Sequence, residues 1–307
     1  MQTEFLFADS RCKLKNGEKM TATEKSFEKK LQNLGFSNNF IFEKVMTSNL
    51  DLCKQLLEML LNIKIERLEL PQSEITFQDS IASKAVRFDV YVKDSNRIFD
   101  IEIQTTARSD FPKRARYYQS CIDVSNLRAG EGYRSLKTTY IIFLCTKDPF
   151  GKKLPIYTFK NSCVEDKNVK FEDDAAKIFY NAQEYDKMPT EDLRLFFKYL
   201  LENKSTSQFT QKLEQNVEKT KQTADEWRHY MTWEMEMIAE RDIAYEEGVE
   251  KGKQAGIKEG ISRGMEQGFE RGKIETARKF LEMGISAEKI AEGTGLPLKT
   301  VLSLKNE

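Results

Sequence analysis

Two short runs of strictly alternating residues restrict the folding of this chain more than any other feature. Val86, Phe88, Val90 and Val92 alternate with polar partners, and so do Phe99, Ile101 and Ile103. A period of two puts each apolar set on one face, so both runs read as half-buried β-strands. The polar cluster 93–97 supplies the turn between them. Requiring apolar to face apolar across an antiparallel pair sets Phe88 against Ile103, Val90 against Ile101 and Val92 against Phe99. A slip of one residue would turn every side chain to the wrong face. The same register sets Asp89 opposite Glu102, with Cβ atoms roughly 4.5–5.5 Å apart. Gln104 follows two residues on, on the face of Glu102.

Two facing carboxylates repel unless something positive sits between them. A hard divalent cation suits the gap, because Mg2+ takes oxygen ligands from one or two carboxylates and leaves positions for water and substrate phosphate. Such an ion lowers the pKa of bound water and neutralises charge on a phosphodiester. An ordinary hairpin whose acids merely face solvent satisfies the same spacing.

Composition narrows the chemistry. The 307 residues include 49 basic and 49 acidic side chains, so any DNA-binding surface has to be a local patch. The five cysteines are odd in number and never form a Cys-x-x-Cys pair, which argues against a zinc site and a disulfide framework. The single histidine, His229, lies in a charged, helix-forming stretch. Chemistry must therefore run on carboxylates, a metal, lysine or arginine. No apolar run approaches the ~20 residues of a membrane span. At the N-terminus Phe5-Leu6-Phe7-Ala8 is followed at once by Asp9, so a cytoplasmic protein with no membrane partner is expected.

Along the chain, residues 1–37 read as a loosely attached lead-in. Residues 38–205 read as one α/β (α+β) domain, a mixed sheet flanked by helices. Helices are expected over 40–46, 50–61 and 191–201, and strands over 63–70, 73–77, 138–145, 155–160 and 176–181. Glu58, on the second helix, either completes a metal site or is a solvated residue of an amphipathic helix. The stretch 105–128 reads as a helix with Asp110 as N-cap and Pro112 in its first turn. It carries Lys113, Arg114, Arg116, Tyr117 and Tyr118. Emerging from the strand that ends at Gln104, it is placed to hold a phosphate backbone, or else presents a solvated basic face.

Residues 206–272 change pattern. Phe209, Leu213, Val217, Met231, Met235 and Ile238 recur at helical spacing, the seam of a long helix that pairs as in a coiled coil. Gly248, Gly252, Gly256, Gly260, Gly264, Gly268 and Gly272 then stand at every fourth position. Each costs ~1 kcal/mol relative to alanine inside a helix, but a stripe without side chains lets two helix backbones approach closely. A helical, self-associating tether is expected, with a flexible linker as its rival. Residues 273–307 look like a helix-turn-helix built on Ile290, Leu296 and Leu304, with Gly295 in the turn and Pro297 opening the second helix. It either exposes Lys299, Thr300 and Ser303 to a DNA groove or serves as a packing clip.

The pattern Asp89…Glu102-x-Gln104 resembles the PD-(D/E)XK nuclease superfamily. Phe40-Ile41-Phe42-Glu43-Lys44-Val45-Met46, Ile101-Glu102-Ile103-Gln104-Thr105, Pro112-Lys113-Arg114-Ala115-Arg116-Tyr117-Tyr118-Gln119, Asp148-Pro149-Phe150-Gly151 and the glycine-repeat tail follow in order. As a set they resemble the bacterial recombination-promoting nuclease / putative transposase family. The resemblance implies a restriction-endonuclease-like core and hydrolysis of DNA with Mg2+, or Mn2+ in its place. It implies that Asp89 and Glu102 hold the ion, aided by the Ile103 carbonyl. Gln104 stands where the superfamily has a lysine and lacks its charge; Arg114, with Tyr118 one turn on, is the candidate to compensate. Relatives often carry an acid just before the Phe-x-Phe pair, where this chain has Asn39. That leaves Glu43 or Glu58 as the helix-borne acid, with Glu58 placed in the expected ligand set. The alternatives are a catalytically inactive DNA-binding or regulatory protein of the same fold, and an oligomerising scaffold.

Overall fold

The computed structural model describes residues 22–70, 76–77, 86–223 and 226–304. The alternating runs lie at one edge of its main sheet, as β3 (Val90–Lys93) and β4 (Arg97–Gln104). β5 (Thr138–Cys145), β7 (Ala175–Asn181) and β6 (Ile156–Phe159) follow across the sheet, in that order. β4, β5 and β7 are parallel, and β3 and β6 run antiparallel to them at the edges. The continuous apolar run of β5 takes the centre, where a strand is covered on both faces. Two-residue strands β1 (Thr76–Phe77) and β2 (Val86–Arg87) form a separate antiparallel pair.

The hairpin has the register that its alternation requires, with Val90 opposite Ile101 and Val92 opposite Phe99. It does not extend to Phe88, which the alternation alone would set opposite Ile103. Phe88 instead packs with Tyr118 and Tyr91 on the other face of the sheet, at ring-centroid distances of 5.0 and 5.4 Å. The cause is Asp89, whose carboxylate accepts the Ile103 N–H at 2.9 Å. A side chain thus takes a bond that a continuing strand would have made, and the chain turns over at residues 88–89.

α1 (Ala22–Gln32), α2 (Asn39–Ser48), α3 (Leu50–Leu61), α5 (Glu191–Glu202) and α6 (Gln208–Gln222) contribute to the larger core, with Val90, Phe99, Ile101 and Ile103. α4 (Phe111–Asn126) covers the other face, burying Phe111, Ala115, Tyr118 and Ile122 against Ile141, Phe143 and Phe179. Two expectations change. The segment before 38 is not all lead-in, because α1 and its exit bury Leu31 and Phe36 completely. The first compact unit also runs past 205 to Trp233, since Phe209, Leu213 and Val217 of α6 enter the same core. Residues 63–70 form no strand beyond a single bridge from Glu69 to Lys93, and 73–75 lie outside the described residues.

The apolar seam expected as one helix is divided between α6 and α7 (Glu226–Glu282). The second unit, Glu234–Glu307, contains most of α7 with all seven ladder glycines. Beyond the helix's own backbone, a Cβ at any of them would meet nothing within 4 Å among the described residues. α8 (Ala287–Thr294) and α9 (Leu298–Leu304) fold against the end of α7 around Ala277, Ile290, Leu296 and Val301. Gly295 ends α8 at φ 69°, a left-handed position that glycine takes without a Cβ penalty.

Candidate active site

β4 sends Phe99, Ile101 and Ile103 into the larger core and leaves Asp100, Glu102 and Gln104 to the α4 side. Glu102 is fully buried. Its Oε1 accepts the Asp89 backbone N–H at 3.0 Å, and its Oε2 accepts from the Arg114 guanidinium at 2.5 Å. Arg114 stands in the first turn of α4. Its Nε donates to the Tyr118 hydroxyl oxygen at 2.8 Å, and the guanidinium carbon lies 5.7 Å from the centre of the Phe143 ring. Charge-assisted bonds of this kind are short and strong.

Asp89 is half-buried at the break between β2 and β3. Besides the Ile103 N–H, its two oxygens accept from Asn39 Nδ2 at 3.2 and 3.0 Å. The same nitrogen lies 3.4 Å from the Ile103 carbonyl oxygen. Asn39 is the first residue of α2; the capping is done by Asn38, whose Oδ1 accepts from the N–H groups of Phe40 and Ile41.

Burial raises the Asp89 carboxyl to about 6, against the pull of the Ile103 and Asn39 hydrogen bonds and the Arg114 charge. Burial and then the Asp89 charge raise Glu102 to about 8, with Arg114 opposing. Asp100 goes well above the usual carboxylate range, first through burial and then through Glu102 and Asp89. It is fully enclosed, and no donor among the described residues reaches either of its oxygens. The pocket thus gathers three carboxyl groups around the Arg114 guanidinium, and desolvation favours their neutral forms. The acid pattern in the sequence does not single out Asp100, although alternation along a buried strand places it on the Glu102 face.

The remaining candidates are distributed as follows. Gln104 is buried at the end of β4, and its carbonyl accepts the Thr146 N–H at 2.9 Å. Lys113 and Arg116 are exposed on α4. Asp110 takes the expected N-cap position of α4, its carbonyl accepting the Arg114 N–H at 2.9 Å, but its side chain makes no cap bond and pairs with Arg108 at 3.0 Å. Glu58, expected among the metal ligands, is not brought to the site. It sits near the end of α3, where its carboxylate accepts the Ile65 N–H at 2.9 Å and closes the turn after the helix. Among the described residues no group of three His, Cys, Asp or Glu side chains could hold a metal ion. Glu43, one turn beyond Asn39, pairs with Arg87 at 3.2 Å and adds its charge to the field at Asp89.

The hard oxygens that come together are the two of the Asp89 carboxylate and the Ile103 main-chain carbonyl, while the Glu102 oxygens accept from the Asp89 N–H and from Arg114. Both Asp89 oxygens and the Ile103 carbonyl converge on one point, the Asn39 nitrogen. Converging hard oxygens fit a hard divalent cation.

A mixed sheet with a parallel centre, bearing paired acids beside a basic helix, defines a nuclease-type α/β protein. The chain belongs to the PD-(D/E)XK nuclease family transposases, whose family model matches residues 37–249. Membership carries a nuclease-type function. Comparison with curated proteins and with solved structures finds no significant match. Among the described residues no helix is long and apolar enough to cross a membrane.

Proposed function

We propose that the protein is a Mg2+-dependent DNA endonuclease, with Mn2+ able to replace Mg2+, acting in the cytoplasm. The observation that carries this reading is the linked pair at the sheet edge. Asp89 N–H bonds Glu102, and the Asp89 carboxylate reaches back to the next residue of β4. Asp89, Glu102 and the Ile103 carbonyl would hold the ion, which when bound supplies an activated water and offsets charge on the phosphodiester.

The other groups have separable tasks. Gln104 orients water through its amide but adds no charge. Arg114 provides the positive charge, held in place by Glu102 and by the Tyr118 hydroxyl. Lys113 and Arg116 hold phosphates flanking the scissile bond, by charge and by the fork geometry of arginine. α7 is the element through which copies of the chain associate. Ile257, Ile261, Met265 and Phe269 are exposed on it, each directly after a ladder glycine.

One observation favours a second reading, a DNA-binding protein that no longer cleaves. Asn39 covers both Asp89 oxygens and Arg114 covers Glu102 Oε2, so donors occupy the places a cation would use. Supercoiled plasmid incubated with the purified protein separates the two. Relaxed circles in Mg2+ but not in EDTA support the endonuclease; binding without relaxation in Mg2+ or Mn2+ supports the second reading.

A further inference from the structure

We infer that Asn39 is itself a cation ligand and sets how strongly this site holds a divalent metal. The inference rests on the metal-dependent reading above and adds to it a residue and an affinity. Asn39 Nδ2 lies 3.2 and 3.0 Å from the two Asp89 oxygens and 3.4 Å from the Ile103 carbonyl. Three oxygens directed at one point are what a small cation requires, and the amide NH2, with its partial positive charge, fills that point in this structure.

The acceptors are well fixed. The Ile103 carbonyl belongs to β4, and the Asp89 carboxylate is anchored by the Ile103 N–H. Asn39 is the movable partner, a side chain on the first turn of α2 and only half-buried, as is Asp89. The site is therefore reachable from solvent, whereas Glu102 behind it is closed.

An asparagine amide carries a donor and an acceptor on one planar group. A half-turn about the Cβ–Cγ bond exchanges them, removing the NH2 from the convergence point and presenting Oδ1 to whatever cation takes its place. Asn39 thus serves the site in two states, as a donor to the acids without metal and as a neutral oxygen ligand with it. A neutral ligand in place of a carboxylate lowers the charge on the site, and ligand charge is a main determinant of divalent-ion affinity. The side chain thereby makes the metal weakly held and exchangeable.

Isothermal titration of the full chain with MnCl2, and separately with MgCl2, tests this without DNA or turnover. The proteins are wild type, Asn39→Asp, Asn39→Ala and Asp89→Ala, each checked for folding by circular dichroism. An aspartate at this position suits the N-terminal turn of a helix, so Asn39→Asp should fold. Asn39→Asp is expected to bind about tenfold tighter than wild type and Asn39→Ala more weakly, because ligand charge and number both count. Asp89→Ala should not bind. Binding by Asn39→Asp alone would overturn the inference, because Asn39 itself would then hold no metal. Wild type, Asn39→Asp and Asn39→Ala binding equally, with Asp89→Ala silent, would overturn the role of Asn39 and leave the metal site intact. No binding by any of the four would remove the metal site, and this inference with it.

Discussion

Arg114 and Glu102 form an ion pair at 2.5 Å in which the acid is fully enclosed and the arginine is one-fifth exposed. Removing one member of such a pair leaves a buried charge without compensation, which costs about 3–5 kcal/mol. Arg114→Ala should lose stability on that scale in urea unfolding above pH 8, where Glu102 is ionised. Arg114→Lys, which keeps the charge but not the planar fork, should lose less. An alanine variant with an unchanged midpoint would show that the pair does not compensate for Glu102.

The raised acids make a signed statement about pH. The folded pKa values of about 6 for Asp89 and about 8 for Glu102 exceed the free carboxylate values. Between roughly pH 4 and 8 the folded state therefore binds more protons than the unfolded chain, and stability falls as pH rises. In EDTA the melting temperature should drop from pH 5 to pH 8.5. Mg2+ should raise it more at the upper end, and Glu102→Gln should flatten the slope. A melting temperature that holds constant or climbs over this range in EDTA would contradict the electrostatic account.

Lys113 and Arg116 lie exposed on the helix that brings Arg114 to the site. Replacing both by glutamate should weaken binding to a duplex oligonucleotide in EDTA. The salt dependence of log K should become shallower by ~0.9 for each phosphate that the variant no longer neutralises. Fluorescence anisotropy across a salt series measures both. An unaltered slope would place the DNA elsewhere.

The hairpin is readable from sequence because its energetics are local. Val90, Val92, Phe99 and Ile101 can all be buried in only one register, and that register is found. The same logic fails at Phe88, because a period-two pattern holds no information about a carboxylate that takes a backbone bond from the strand. Asn39 stands out in the sequence as a departure from the family pattern, yet its contact with Asp89 spans fifty positions and follows from packing. Asp100 stays hidden there, since burial alone distinguishes it from an acid on a solvated strand. Glu58 draws the eye by its place before the sheet, but the turn after α3 takes its carboxylate.

The glycine ladder gives a test with opposed signs. Apart from the helix's own neighbouring backbone, no atom of the described residues lies within 4 Å of a Cβ at Gly256, Gly260 or Gly264. Changing all three to alanine should stabilise the helix by ~1 kcal/mol per site. Close approach of a second copy needs the missing side chains, so the triple variant should be more helical yet lose self-association in sedimentation. Unchanged association alongside higher helicity would assign the stripe no part in assembly.

The most direct measurement is relaxation of supercoiled plasmid by wild type, Asp89→Asn and Glu102→Gln. All are kept at equal concentration in Mg2+ after circular dichroism has shown each to be folded. Wild type should nick the DNA, and both near-isosteric variants should be silent, because each loses a carboxylate required to hold the ion. Nicking by either variant at the wild-type rate would contradict the assignment of this acid pair.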